Sequence, residues 1–251
     1  MARTGDRRAG GPEQRRGPRL RRAYFETRFG QLHVHHAIPP GGGFDEGPAL
    51  VCCAPLGGIG RAFRPFMSLM ARDRSVYAAD TPGFGESDGP LSPPLLADYA
   101  GALVDFLDAM RFRAVDLVGS GSGSLLAAEV AITRPALVRR VVMVSVPLPE
   151  EAERSAWRRA PRPEPPVAYG PHAAQSWWAT NAVMSYAARD RLALLQQPAL
   201  VLRPRDAMWE STQRARSMLR NARAVDLPEC GEDIFEVAPV EVQGAIAEFV
   251  A

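Results

Sequence analysis

The chain contains no lysine: all 30 of its basic residues are arginine, a bias that reads as the mark of a GC-rich genome. Cysteine is scarce too. Three residues, two of them adjacent (Cys52 and Cys53), exclude a disulfide framework and predict a reducing, cytoplasmic setting. No apolar run approaches the length of a membrane-spanning helix, so no membrane partner is expected. The opening segment MARTGDRRAGGPEQRRGPRLRR has no apolar core, which excludes a secretory signal. Histidine is limited to four residues, and no grouping of His, Cys, Asp and Glu has zinc-ligand spacing, so neither a metal nor another cofactor is expected.

What is present is unevenly placed. Residues 1–22 hold eight arginines against Asp6 and Glu13, whereas the remainder holds 22 arginines against 26 acids. The pI of 8.6 therefore describes the first segment, and no nucleic-acid partner is expected. Residues 1–22 are expected to form a disordered Arg-rich tail. The length of 251 residues fits one α/β domain carrying a short insertion.

Past residue 22, apolar periodicity sets out the elements. AYFETRF and QLHVHHA read as strands joined by a turn at Gly30, and ALVCCA and RSVYAAD as buried strands. LLADYAGALVDFLDAM is an amphipathic helix; AVDLVGS, SLLAAEVAITRP and RRVVMVSV follow as strand, helix and strand. The rhythm breaks over residues 147–196, which carry PRPEPP and three tryptophans. It resumes with PALVLRP, a helix near 209–220, ARAVDLPE and a closing helix over 238–250. This alternation predicts a three-layer, mostly parallel, doubly wound sheet. The core is expected over 23–146 and 197–251, with 147–196 as a helical cap over the carboxyl edge.

PLGG behind an apolar strand, the turn DTPGFGESD, the elbow DLVGSGSGS and the late strand–helix pairs occur in this order. In them the chain resembles the α/β-hydrolase superfamily. The resemblance implies a G-x-S-x-G strand-to-helix turn, and here Gly119 and Gly123 flank Gly121 where the serine nucleophile is due. It also implies an acid at Ala207, one residue past Asp206, and a histidine where Glu232 stands. The His-Gly pair before the oxyanion turn is Ala54-Pro55. The oxyanion donors it implies are the N–H groups of Leu56 and Ser122.

These positions give the candidate site. Asp206 and Glu232, on loops that converge in this fold, are candidate acid–base residues; shared between them, one proton would make a usable base. Ser122 completes the catalytic set. Leu56, Gly121, His172, Trp177 and Trp178 are the substrate-binding candidates, with one tryptophan packing and the other facing an apolar ligand. His33, His35 and His36 read as packed or surface strand residues, and Cys53 as a small buried thiol. Three function classes follow: a non-hydrolytic enzyme acting on a small molecule or peptide, as in atypical superfamily members of bacterial natural-product pathways that include a peptide epimerase; a hydrolase using Ser120 or Ser122; and a non-catalytic binding protein. A homodimer is compatible with each.

Overall fold

The computed structural model describes residues 17–40, 47–160 and 171–251, with side chains from residue 174 in the last span. The expected tail lies largely outside these, yet its last residues do not: β1 (Arg19–Thr27) begins at Arg19 and pairs antiparallel with β2 (Gly30–Ile38). Arg19, Arg21 and Arg22 are therefore strand residues, opposite Ile38, His36 and His35. The tight turn between the strands is made by Gly30, whose φ of +97° suits a residue without Cβ.

β3 (Ala49–Cys53) is buried at every position, as a strand covered on both faces must be. A 3-10 turn at Gly60–Phe63 leads into α1 (Arg64–Met70), then β4 (Val76–Ala79). In α2 (Leu96–Ala109) the buried set Leu96, Tyr99, Ala100, Leu103, Phe106 and Leu107 follows the helical repeat. Its start is fixed by Asp98, whose carboxylate accepts the Leu95 N–H at 2.8 Å. β5 (Val115–Ser120), α3 (Ser122–Thr133) and β6 (Val138–Val144) follow.

Between β6 and the next strand lie α4 (Glu151–Arg159), α5 (Pro171–Ser185) and α6 (Ala188–Leu192). They occupy the segment expected to be an insertion. The chain then returns through β7 (Ala199–Pro204), α7 (Trp209–Met218), β8 (Ala222–Leu227), α8 (Ile234–Val237) and α9 (Pro239–Val250).

The eight strands form one sheet in the order β1-β2-β4-β3-β5-β6-β7-β8. The β1–β2 and β2–β4 pairs are antiparallel and all the rest parallel. Alternation along each strand divides the core. Val51, Cys53, Leu117 and Val141 face a layer containing α2, α3 and α6, while Leu50, Cys52, Val118 and Val142 face α1, α8 and α9. Among the described residues no helix is long and apolar enough to cross a membrane.

Candidate functional site

The carboxyl ends of β3, β5, β6 and β7 meet at one edge of the sheet, and Leu56, Gly121, Ser122 and Asp206 lie on the loops that leave it. β5 runs into α3 through Gly121, whose φ of 54° and ψ of −130° place it outside the regions open to ordinary residues. The flanking glycines explain how so sharp a turn packs. A Cβ on Gly123 would lie 2.1 Å from the Cys53 carbonyl oxygen, and one on Gly119 would lie 2.3 Å from the Gly123 oxygen. Gly121 itself has room: the nearest atom to an added Cβ would be Pro55 Cγ at 3.4 Å.

Two sets of hydrogen bonds hold this elbow. The Gly121 N–H donates to the Val144 carbonyl at 2.9 Å. Ser124 Oγ accepts the Val144 N–H at 3.0 Å and lies 2.8 Å from the Gly119 oxygen, so β5, β6 and α3 are stitched together at their ends. On the other side, the Leu56 N–H donates to Ser122 Oγ at 2.8 Å. The loop carrying Leu56 is braced in turn by Thr81, whose hydroxyl donates to Pro55 O at 3.0 Å and whose N–H donates to Gly58 O at 3.1 Å.

Asp206 sits just past β7, half-buried, with both oxygens engaged. Oδ2 accepts the Ser145 hydroxyl at 2.5 Å, and Oδ1 accepts the Met208 N–H at 2.8 Å in an Asx turn ahead of α7. Ser145 has a positive φ of 53° and directly follows Val144, the residue that anchors Gly121. A continuous path thus joins the carboxylate to the elbow. Ser145 was not singled out by sequence; a serine at the carboxyl end of a parallel strand was the only available signal.

The other candidates are less concentrated. The loops of Asp206 and Glu232 do converge, through the Arg205 N–H to Cys230 O bond at 2.7 Å. Glu232 is exposed, and it makes no hydrogen bond or ion pair among the described residues. Trp177 stacks on Trp157 of α4 with ring centroids 6.0 Å apart, and Trp178 is half-buried. The side chain of His172 lies outside the described residues. Cys53 ends β3 beneath the elbow, and burial pushes its thiol up to about 12, so it is protonated at neutral pH.

The strand histidines are packed residues, and two of them meet a carboxylate. His33 Nδ1 lies 2.8 Å from Asp80 Oδ2, and His35 Nε2 lies 3.9 Å from Asp80 Oδ1. Because their sequence separation exceeds 40 residues, spacing did not reveal this cluster of three groups with metal-ligand atoms. Burial lowers the pKa of His35, partly opposed by Asp80, and burial also lowers that of His36 beside Tyr77. A depressed folded-state pKa means that the unfolded chain binds protons first. The stability these neutral rings contribute is present above about pH 6.5 and is lost as the pH falls below it. Urea midpoints between pH 8 and pH 5 are expected to decline, and the decline is expected to flatten in His35→Gln and His36→Gln.

Comparison with known proteins places the architecture. Residues 48–166 match the sequence family described as alpha/beta hydrolase fold. The chain is 26% identical over 248 residues to “Putative carbamate hydrolase RutD” of Pseudomonas savastanoi pv. phaseolicola, covering 82% of this chain and 94% of that one. It is 36% identical over 94 residues to 2-hydroxymuconate semialdehyde hydrolase of Pseudomonas sp. strain CF600, covering 35% and 33% respectively. Among solved structures, the enol-lactonase of Burkholderia xenovorans LB400 superposes with a TM-score of 0.74 at 17% identity, covering 91% of this chain and 99% of that one. The chain has the α/β-hydrolase fold.

Proposed function

We propose that this protein is a repurposed α/β-hydrolase-fold enzyme that transfers a proton next to a carbonyl group, as an epimerase, isomerase or lyase does, on a small metabolite or modified peptide. The observation that carries this reading is Gly121. It holds the elbow conformation with space above it, yet offers no side chain to attack a carbonyl. The triad positions are altered with it, since exposed Glu232 stands in the histidine loop. A hydroxyl without an adjacent base is a poor nucleophile at neutral pH.

The part of the machinery that would still work is electrostatic. In this reading a substrate carbonyl displaces the Ser122 hydroxyl from the Leu56 N–H and takes that donor, together with the N–H of Ser122. Such preorganised donors stabilise developing negative charge by about 3–4 kcal/mol each in favourable sites. Asp206 removes the proton alpha to the carbonyl, the electron pair moves onto the oxygen as an enolate, and the proton returns to carbon. Ser145 and the Met208 N–H orient the carboxylate for this role, and Glu232 is a second carboxylate on the adjoining loop. The tryptophans of α4 and α5 supply an apolar wall for the rest of the substrate.

A second reading is a hydrolase with Ser122 as a displaced nucleophile. It is favoured by the hydrolase names of the relatives and by the contact of Ser122 Oγ with the Leu56 donor. Intact mass after exposure to a reactive fluorophosphonate separates the two. No adduct is expected on the folded protein. A stoichiometric adduct mapped to Ser120 or Ser122, and lost in the matching Ser→Ala variant, would overturn the proton-transfer reading. The positive arm is deuterium uptake from solvent at a carbon next to a carbonyl, expected to fall by about 100-fold or more in Asp206→Asn.

A further inference from the structure

A cavity of about 500 Å³ opens between the β1–β2 pair, the turn at Gly60–Arg64 and the turn at Asp80–Glu86. Its size is that of a small-molecule site. Three arginine side chains, Arg22, Arg61 and Arg64, line it together with His33 and His35, while Arg21 borders it through its backbone, its side chain lying beside His36 on the other face of the sheet. Only two carboxylates oppose them, and both are already occupied.

Asp80 is 3% exposed. It accepts the Gly60 N–H at 2.7 Å on Oδ1, and on Oδ2 it accepts the Glu86 N–H at 3.1 Å and His33 Nδ1 at 2.8 Å. Glu86 pairs with Arg22 at 3.1 Å and accepts the Tyr24 hydroxyl. Among the described residues Arg61 and Arg64 have no carboxylate partner, so the cavity wall carries an excess of positive charge.

The histidines add a second, independent feature. With Nδ1 facing the Asp80 carboxylate as a donor, a neutral His33 ring leaves Nε2 as an acceptor. That atom is fully buried and has no hydrogen-bond partner, in a residue 1% exposed. A buried polar atom of this kind is costly unless something fills its bond. The geometry points to a site for a phosphoryl group, as inorganic phosphate or the end of a small phosphate monoester. The guanidinium groups bind its charged oxygens in forked pairs, and its P–OH donates to His33 Nε2. This assignment is independent of the chemistry proposed at the elbow.

A divalent metal is the competing occupant, because ligand atoms of His33, His35 and Asp80 lie within 4.8 Å of one another. It fits less well. The Asp80 carboxylate is committed to three donors, and the arginines repel a dication.

The test is calorimetric titration of the full chain at pH 7, with ionic strength held constant by chloride. Inorganic phosphate, glycerol phosphate and zinc chloride are titrated into separate samples. Saturable one-site binding of phosphate or of glycerol phosphate is expected, and the tighter of the two identifies the source of the group. The double variant Arg61→Gln/Arg64→Gln is expected to weaken it about tenfold or more, while the exposed Arg113→Gln leaves it unchanged. Both substituted arginines are exposed, so the variant keeps its fold. No saturable binding of either phosphoryl probe, equal binding by the double variant, or binding of zinc alone would each overturn the assignment.

Discussion

Gly123→Ala is expected to destabilise the protein by about 3 kcal/mol or more. The added Cβ would lie 2.1 Å from Cys53 O and 2.6 Å from Ala54 O. Both are backbone atoms of β3 and its exit, so no side-chain rotation can relieve the contact. α3 would have to lift from the sheet, and with it the bonds from Ser124 to Gly119 and Val144 would open. For a domain held by about 5–15 kcal/mol, such a loss removes a large part of the margin. Urea unfolding followed by circular dichroism measures it. Gly244→Ala serves as the opposite control: it lies in α9 with nothing within 4 Å of an added Cβ, and is expected to gain roughly 0.5–1 kcal/mol from helix propensity. Equal midpoints for the two variants would refute the packing account of the elbow.

Glu129→Ala is expected to cost about 3 kcal/mol, and its effect is expected to concentrate on the segment around Tyr186–Leu192. Glu129 lies on α3 and is 4% exposed. Arg191 grips its carboxylate at 2.9 Å through Nε and 2.8 Å through a terminal nitrogen, and the Tyr186 hydroxyl donates at 2.6 Å. Burial and the neighbouring carboxylate together push the Tyr186 phenol far up, so it stays a donor at any physiological pH. Removing the carboxylate leaves a guanidinium and a phenol without their shared acceptor. The partial exposure of Arg191, 30% for its side chain, lets that group rehydrate and holds the cost near the lower end for a broken buried pair. Glu129→Gln keeps an acceptor and is expected to lose less. Amide hydrogen exchange is the discriminating readout. Protection is expected to fall around residues 186–192 in Glu129→Ala while the central strands keep theirs; uniform loss across the sheet would contradict a local anchoring role. The exposed Arg134–Asp108 pair offers the contrast, since its removal is expected to cost about 1 kcal/mol or less.

Both predictions concern the ground on which the elbow rests, and the two differ in how far a sequence reader could have reached them. The glycines at 119, 121 and 123 were legible as an elbow through the resemblance to the α/β-hydrolase superfamily. That Gly119 and Gly123 are forced by backbone contact, while Gly121 has space, required coordinates. The Glu129 network could not be inferred at all, because it joins α3 to residues 57 and 62 positions further on.

The sequence by itself determined the order and kind of nearly every element, because apolar repeats of two and of about 3.6 residues report which face of each strand or helix is buried. It placed the glycine turn between β5 and α3 and the break in the strand–helix rhythm after β6, where three helices stand. It misplaced the start of the sheet, since Arg19, Arg21 and Arg22 read as a continuation of the basic tail, whereas pairing with β2 makes them strand residues. A polar edge strand carries little hydrophobic signal, and its partner's hydrogen bonds decide its structure. Only the tertiary structure decided which side chains meet. It brought Ser145 to Asp206, set Ser122 against Leu56, and joined His33 and His35 to Asp80 under a wall of arginines. The physical reason is common to all three. Local periodicity encodes burial along one segment, while a site is made where strand ends and loops distant in the chain converge, and that convergence follows from strand order and register.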